Sequence, residues 1–142
     1  MPVLNVAFVG SESLAKKIAK KGDVRDIESY VHKEERNGEI GIISLLRPLK
    51  HPEKIRPLLS VLNVAKVGII EISKVDSALG EICVSFGCAK IEKGLVIINS
   101  QVGDWVDPDQ VRIILEQSGL KNWELLEKLP DEHSIREKLF SL

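Results

Sequence analysis

At 142 residues the chain has room for one domain with a real core and is short for two. Its 44% hydrophobic and 29% charged residues describe a globular protein, and no apolar run nears the roughly 20 residues needed to cross a bilayer. With 20 Lys+Arg against 21 Asp+Glu, the balanced charge excludes a strong global pull on nucleic acid or an anionic membrane; with no secretory leader pattern at the start, a cytoplasmic location is expected.

The first stretch, Val3 to Val9, is apolar and rich in β-branched residues, as in a strand buried on both faces of a parallel sheet. Gly10 follows, and from Ser11 or Glu12 to Lys21 the residues Leu14, Ala15, Ile18 and Ala19 fall at helical spacing, with Gly22 as the stop. Lys16, Lys17, Lys20 and Lys21 then spread over the solvent side of this helix. Asp26 to Lys33 alternates, Ile27, Ser29 and Val31 on one face and Glu28, Tyr30 and His32 on the other. Asn37-Gly38 turns the chain into Glu39 to Leu46, so a hairpin is expected, its more polar first strand at the sheet edge.

Two prolines make 47–52 an irregular loop; Ile55, Leu58, Leu59 and Leu62 then form one helical stripe, with Pro57 tolerable only in the first turn. Lys66 to Ile72 is a second core strand. Asp76 or Ser77 can cap a helix carrying Leu79, Ile82, Cys83 and Phe86, and Gly94 to Asn99 is a third core strand. After a loop with Gly103 and Trp105, Asp107 at the cap, Pro108 at the first turn and Gly119 at the end delimit the best-marked helix. Asn122 to Glu127 can form a last strand, and Pro130 to Phe140 a closing helix. This alternation predicts helices on both faces of a mainly parallel sheet with one antiparallel edge strand.

Cys83 and Cys88 lie about 140° apart around a helix, which suits neither a metal pair nor a disulfide, so two buried thiols are expected. His32, His51 and His133 show no ligand spacing, and no metal site is predicted.

In its element order, in Gly10 to Lys16, His51, the stretch 76–81 and Asn99, and in the run 56–65, the chain resembles the GTPase domain of the selenocysteine-specific branch of the elongation factor Tu family. The resemblance covers about 3–126. It implies a three-layer P-loop GTPase-like α/β fold over 1–142, a single domain without the β-barrel domains that follow in elongation factors.

The family's phosphate loop, G-x-x-x-x-G-K-S/T, holds phosphates on backbone amides and a lysine, and Mg²⁺ on a hydroxyl. Gly10 and Lys16 match it; Ala15 replaces the second glycine and Lys17 the hydroxyl residue, leaving Ser13 as a substitute hydroxyl. Of D-x-x-G-H, only His51 remains, the weak catalytic candidate, with Arg47 in place of the aspartate and Lys50 in place of the glycine. Of N-K-x-D, Asn99 remains and Val102 replaces the base-reading carboxylate.

Loss in every motif beside a kept core pattern implies a degenerate GTPase domain that no longer hydrolyses GTP. It is expected to act as a non-catalytic interaction module toward a protein partner such as the translation machinery, or as a homodimer. No cofactor is expected. The alternative is a residual GTP, GDP or anion binder using Gly10, Ser11, Ser13, Lys16, Lys17 and Asn99. RNA binding through Lys16, Lys20, Lys21 and Arg25 is weighed against by the balanced charge and 4% aromatic content.

Overall fold

A computed structural model describes residues 3–24, 27–48, 56–73, 77–99 and 106–142. The chain runs β1 (Val3–Val9), α1 (Glu12–Ile18), β2 (Lys20–Val24), β3 (Ile27–Arg36), β4 (Glu39–Pro48), α2 (Arg56–Val64), β5 (Val67–Ile72), α3 (Ser77–Cys88), β6 (Gly94–Ile98), α4 (Pro108–Gln117), β7 (Glu124–Leu126) and α5 (Glu132–Phe140). The strands form one seven-stranded sheet in the order β2-β3-β4-β1-β5-β6-β7. Only β3 runs against the others. This is the mainly parallel, three-layer α/β architecture expected from the element order.

Three layers result because each central strand is apolar on both faces. Val6, Phe8, Ile43, Leu45, Ile69 and Ile97 point into a core closed by Leu14, Ala15 and Ile18 of α1 and by Ile135 and Leu139 of α5. On the other face Ala7, Ile70, Ile72, Val96 and Ile98 meet Leu58 and Leu62 of α2, Phe86 of α3 and Leu115 of α4. Phe86 and Trp123 meet edge to face at 5.1 Å. An added Cβ at Gly68 would lie 2.5 Å from both rings, so this glycine makes room for the pair.

The β3–β4 hairpin closes on Asn37 and Gly38, both at positive φ (52° and 83°), the backbone that an Asn-Gly two-residue turn supplies. Asp107 caps α4 through the Asp109 amide with Pro108 in the first turn. Pro57 is the second residue of α2, where its missing N–H breaks no helical bond.

Several expectations are corrected. Helix α1 ends at Ile18, not Lys21: Ala19 is extended and the chain enters β2 at once, so Lys20 and Lys21 lie on a strand and Gly22 stops no helix. The carbonyls at the end of α1 are held by Arg136 of α5, whose Nε donates to Ile18 O at 2.8 Å and Nη2 to Lys17 O at 3.1 Å. Strand β3 is not the edge over its first half, because β2 pairs outside it. Its polar-looking face is the buried one, with Tyr30 fully covered and Glu28 only 3% exposed. Cys88 is exposed; only Cys83 is buried. No helix among the described residues is long and apolar enough to cross a membrane.

Candidate functional site

The predicted site lies where β1 gives way to α1, at the C-terminal edge of the sheet. Here α1 begins only two residues after Gly10, with Ser11 as its cap: the Ser11 hydroxyl accepts the Leu14 amide at 3.2 Å. Residues 12–15, which in a phosphate loop would wrap an anion, are instead the first turn of the helix, and Leu14 and Ala15 are buried in the core. Packing alone requires a glycine at position 10. A Cβ there would sit 2.8 Å from Glu71 Cβ and 3.1 Å from the Phe8 ring.

The polar groups at this edge bond one another, except the Asn99 side-chain oxygen, which is buried without a hydrogen-bond partner among the described residues. The Ser11 N–H donates to Glu71 Oε1 at 2.6 Å, and Asn99 Nδ2 donates to Glu71 Oε2 at 2.8 Å. The Asn99 amide donates to Ile72 O at 2.8 Å, which fixes the residue at the end of β6. On the other side of β1, Arg47 Nε donates to Gly10 O at 2.7 Å and its Nη1 to Glu28 Oε1 at 2.5 Å. Tyr30 OH also donates to Glu28 Oε1, at 2.9 Å, and Lys21 Nζ lies 3.0 Å from Glu28 Oε2. A row of bonded polar residues thus crosses the sheet from β2 to the end of β6, by way of Glu28, Arg47, the Gly10–Ser11 backbone and Glu71.

Burial opposes the ionised form of Glu28, but hydrogen bonds from Lys21, Tyr30 and Arg47 outweigh it and hold the carboxyl below its ordinary value. Burial, followed by the bond to Glu28, pushes the Tyr30 hydroxyl up to about 12. The hydrogen bond to Glu28 raises Lys21.

Of the sequence-predicted site residues, Gly10, Ser11 and Asn99 come together around Glu71. Ser13, Lys16 and Lys17 do not join them: all three are exposed on α1, and Lys16 pairs with Glu12 one turn back at 2.7 Å. His51, Lys50 and Val102 lie outside the described residues, as do Arg25, Asp76, Gly103 and Trp105. Sequence reasoning missed Glu71, Glu28 and Tyr30, and had Lys21 only as a solvent-side cation and RNA-binding candidate. The available signal was a lone carboxylate inside an apolar strand, Gly68-Ile69-Ile70-Glu71-Ile72, which has to find a donor.

Among the described residues, the groups that would meet a phosphate and Mg²⁺ in a phosphate loop are already engaged with one another. A phosphate taking the Ser11 amide would have to displace the Glu71 carboxylate or sit within about 4 Å of it, costing on the order of 4 kcal/mol per charge pair at an effective dielectric of about 20. At the end of β4, the position of the metal-ordering aspartate holds the cation Arg47, already committed to Gly10 and Glu28. Among the described residues no three His, Cys, Asp or Glu side chains gather into a metal-binding set.

Away from this edge, a groove of about 700 Å³ separates α3 from α4, lined by Gly80, Val84, Ser85, Ile114 and Gln117 among others. Val84 and Ile113 of these two helices are more than half exposed, at 52% and 55%.

No family model matches the chain. Over its whole length the chain is 30% identical to an uncharacterized protein of Methanocaldococcus jannaschii, and it spans 43% of that protein's length.

Proposed function

We propose that this domain is a degenerate, translation-factor-like GTPase scaffold that neither hydrolyses nor needs GTP and works as a non-catalytic protein-interaction module. One observation carries the reading: the Glu71 carboxylate accepts the Ser11 amide, so the chain's own anion occupies the place at which a phosphate loop would receive a phosphate. The helical course of 12–15 supports the same conclusion, because it removes the loop whose amides would surround that phosphate. The interaction half of the reading is supported by the apolar surface of α3 and α4, with a component of the translation machinery or a second copy as the partner.

Isothermal titration with GTP and GDP, with and without Mg²⁺, tests this. The expected result is no saturable heat from either nucleotide, and micromolar binding of either would overturn the proposal. A residual anion binder acting through Lys16 and Lys17 would instead lose phosphate affinity on Lys16→Ala. The existing Lys16–Glu12 pair weighs against that alternative.

A further inference from the structure

At the opposite, N-terminal edge of the sheet, Lys66 immediately precedes β5 and Lys93 immediately precedes β6. With Lys90 they line a pocket of about 290 Å³ whose apolar residues are Leu4, Val67 and Leu142, and Glu92 is its one acidic side chain. Unlike Lys16, Lys21 and Lys138, none of these three lysines has an ion-pair partner among the described residues.

Lys90 is unusual for its backbone. Helix α3 ends with the Ile91 amide bonded to Phe86 O and the Lys90 amide to Gly87 O, which places Lys90 in the left-handed region at φ 59°. Helix α4 ends the same way, with the Leu120 amide on Leu115 O, and there the corresponding residue is Gly119 at φ 82°. A lysine thus stands where glycine would be unstrained, and it is one of the residues that line the pocket.

We infer that this pocket is a binding site for a small phosphomonoester, its phosphate held by Lys66, Lys90 and Lys93 and its apolar body resting on Leu4 and Val67. Three lysine side chains against the one glutamate side chain give the lining a positive balance, the sign that a phosphomonoester, charged about −1.5 to −2 at neutral pH, requires. Lysine serves phosphate as a point charge, without the planar match that arginine offers a carboxylate. A nucleic acid is disfavoured because the net charge of −1 provides no extended basic field. The site is separate from Gly10 and Glu71, and its test does not depend on the reading of that edge.

The test is amide NMR titration of the intact chain at low salt with phenyl phosphate, phenol, inorganic phosphate and a single-stranded oligouridylate. Phenyl phosphate is expected to shift the Lys66, Gly68, Lys90 and Lys93 amides saturably, more tightly than inorganic phosphate, with phenol inert. Lys90→Gly should raise the melting temperature by relieving the backbone and weaken phenyl phosphate about fivefold, corresponding to about 1 kcal/mol. Lys66→Ala should weaken it similarly. The inference is overturned if phenyl phosphate produces no saturable shift, or if Lys90→Gly, shown folded by its melting temperature, binds as the parent does. Inorganic phosphate binding as tightly as phenyl phosphate, or oligouridylate binding more tightly, would also overturn it.

Discussion

The Glu71 carboxylate accepts the backbone N–H of Ser11 at 2.6 Å, joining residues 60 apart in the chain at the point where β1 turns into α1. The same side chain also holds Asn99 at the end of β6, so one carboxylate ties together the C-terminal ends of three adjacent strands. Replacing it with glutamine leaves an amide that cannot accept from both donors. Glu71→Gln is expected to cost about 1–3 kcal/mol in urea denaturation, without creating nucleotide affinity.

Gly10→Ala tests whether the glycine serves packing or a ligand. The new methyl would meet Glu71 Cβ at 2.8 Å and Glu71 Oε1 at 3.0 Å. A loss of about 1–3 kcal/mol from overpacking is expected, unchanged by adding GTP or GDP to the melt. A loss seen only as a change in nucleotide affinity would assign the glycine to a ligand.

Stability should fall at both ends of the pH scale through Glu28 and Tyr30. The folded-state pKa of Glu28 lies below its ordinary 4.5, so its contribution is complete above 4.5 and is lost as pH falls through the folded value. That of Tyr30 rises from 10.0 to about 12, so its contribution is complete below 10.0 and is lost as pH climbs toward 12. Lys21, also raised, adds to the alkaline loss. Urea midpoints measured against pH should show a shallower acid limb in Glu28→Gln and a shallower alkaline limb in Tyr30→Phe. At neutral pH, Glu28→Ala should cost about 3 kcal/mol by leaving Arg47 without its carboxylate.

Two glycines on α3 should respond to alanine in opposite directions. A Cβ on Gly80 meets nothing within 4 Å, so Gly80→Ala should stabilise by about 0.5–1 kcal/mol through helix propensity. A Cβ on Gly87 would lie 2.0 Å from the Ser118 carbonyl oxygen of the neighbouring chain segment, so Gly87→Ala should force α3 and α4 apart and destabilise by more than about 2 kcal/mol. Thermal melts of the two variants check the contrast.

The thiols should separate in the native state. Cys88 is exposed, while burial pushes Cys83 up to about 11. Titration with a thiol-reactive chromophore should find one rapid equivalent in buffer and two in urea.

The sheet and its helices were legible because their signals are local: continuous apolar runs for β1, β5 and β6, the Asp107-Pro108 start of α4, and Asn37-Gly38 for the hairpin. Strand β2 was not, because Lys20-Lys21-Gly22-Asp23-Val24 has no apolar period and is defined by its pairing with β3. The early end of α1 depends on Arg136, more than a hundred residues away. At the candidate site, the loss of motif residues could be read directly, and so could the helix start beside Gly10. What replaced the motifs could not: Glu71 and Arg47 reach the Gly10–Ser11 turn from other strands, and only the folded sheet brings them there.

The most direct test of the central claim follows the backbone amide of Ser11 by NMR while GTP with Mg²⁺ is added to the intact chain. Because that N–H is already held by Glu71, its resonance and those of Glu12 and Lys16 should remain in place throughout the titration. A saturable shift of the Ser11 amide with GTP, absent with ATP, would mean that a guanine nucleotide displaces the carboxylate, and would contradict the account.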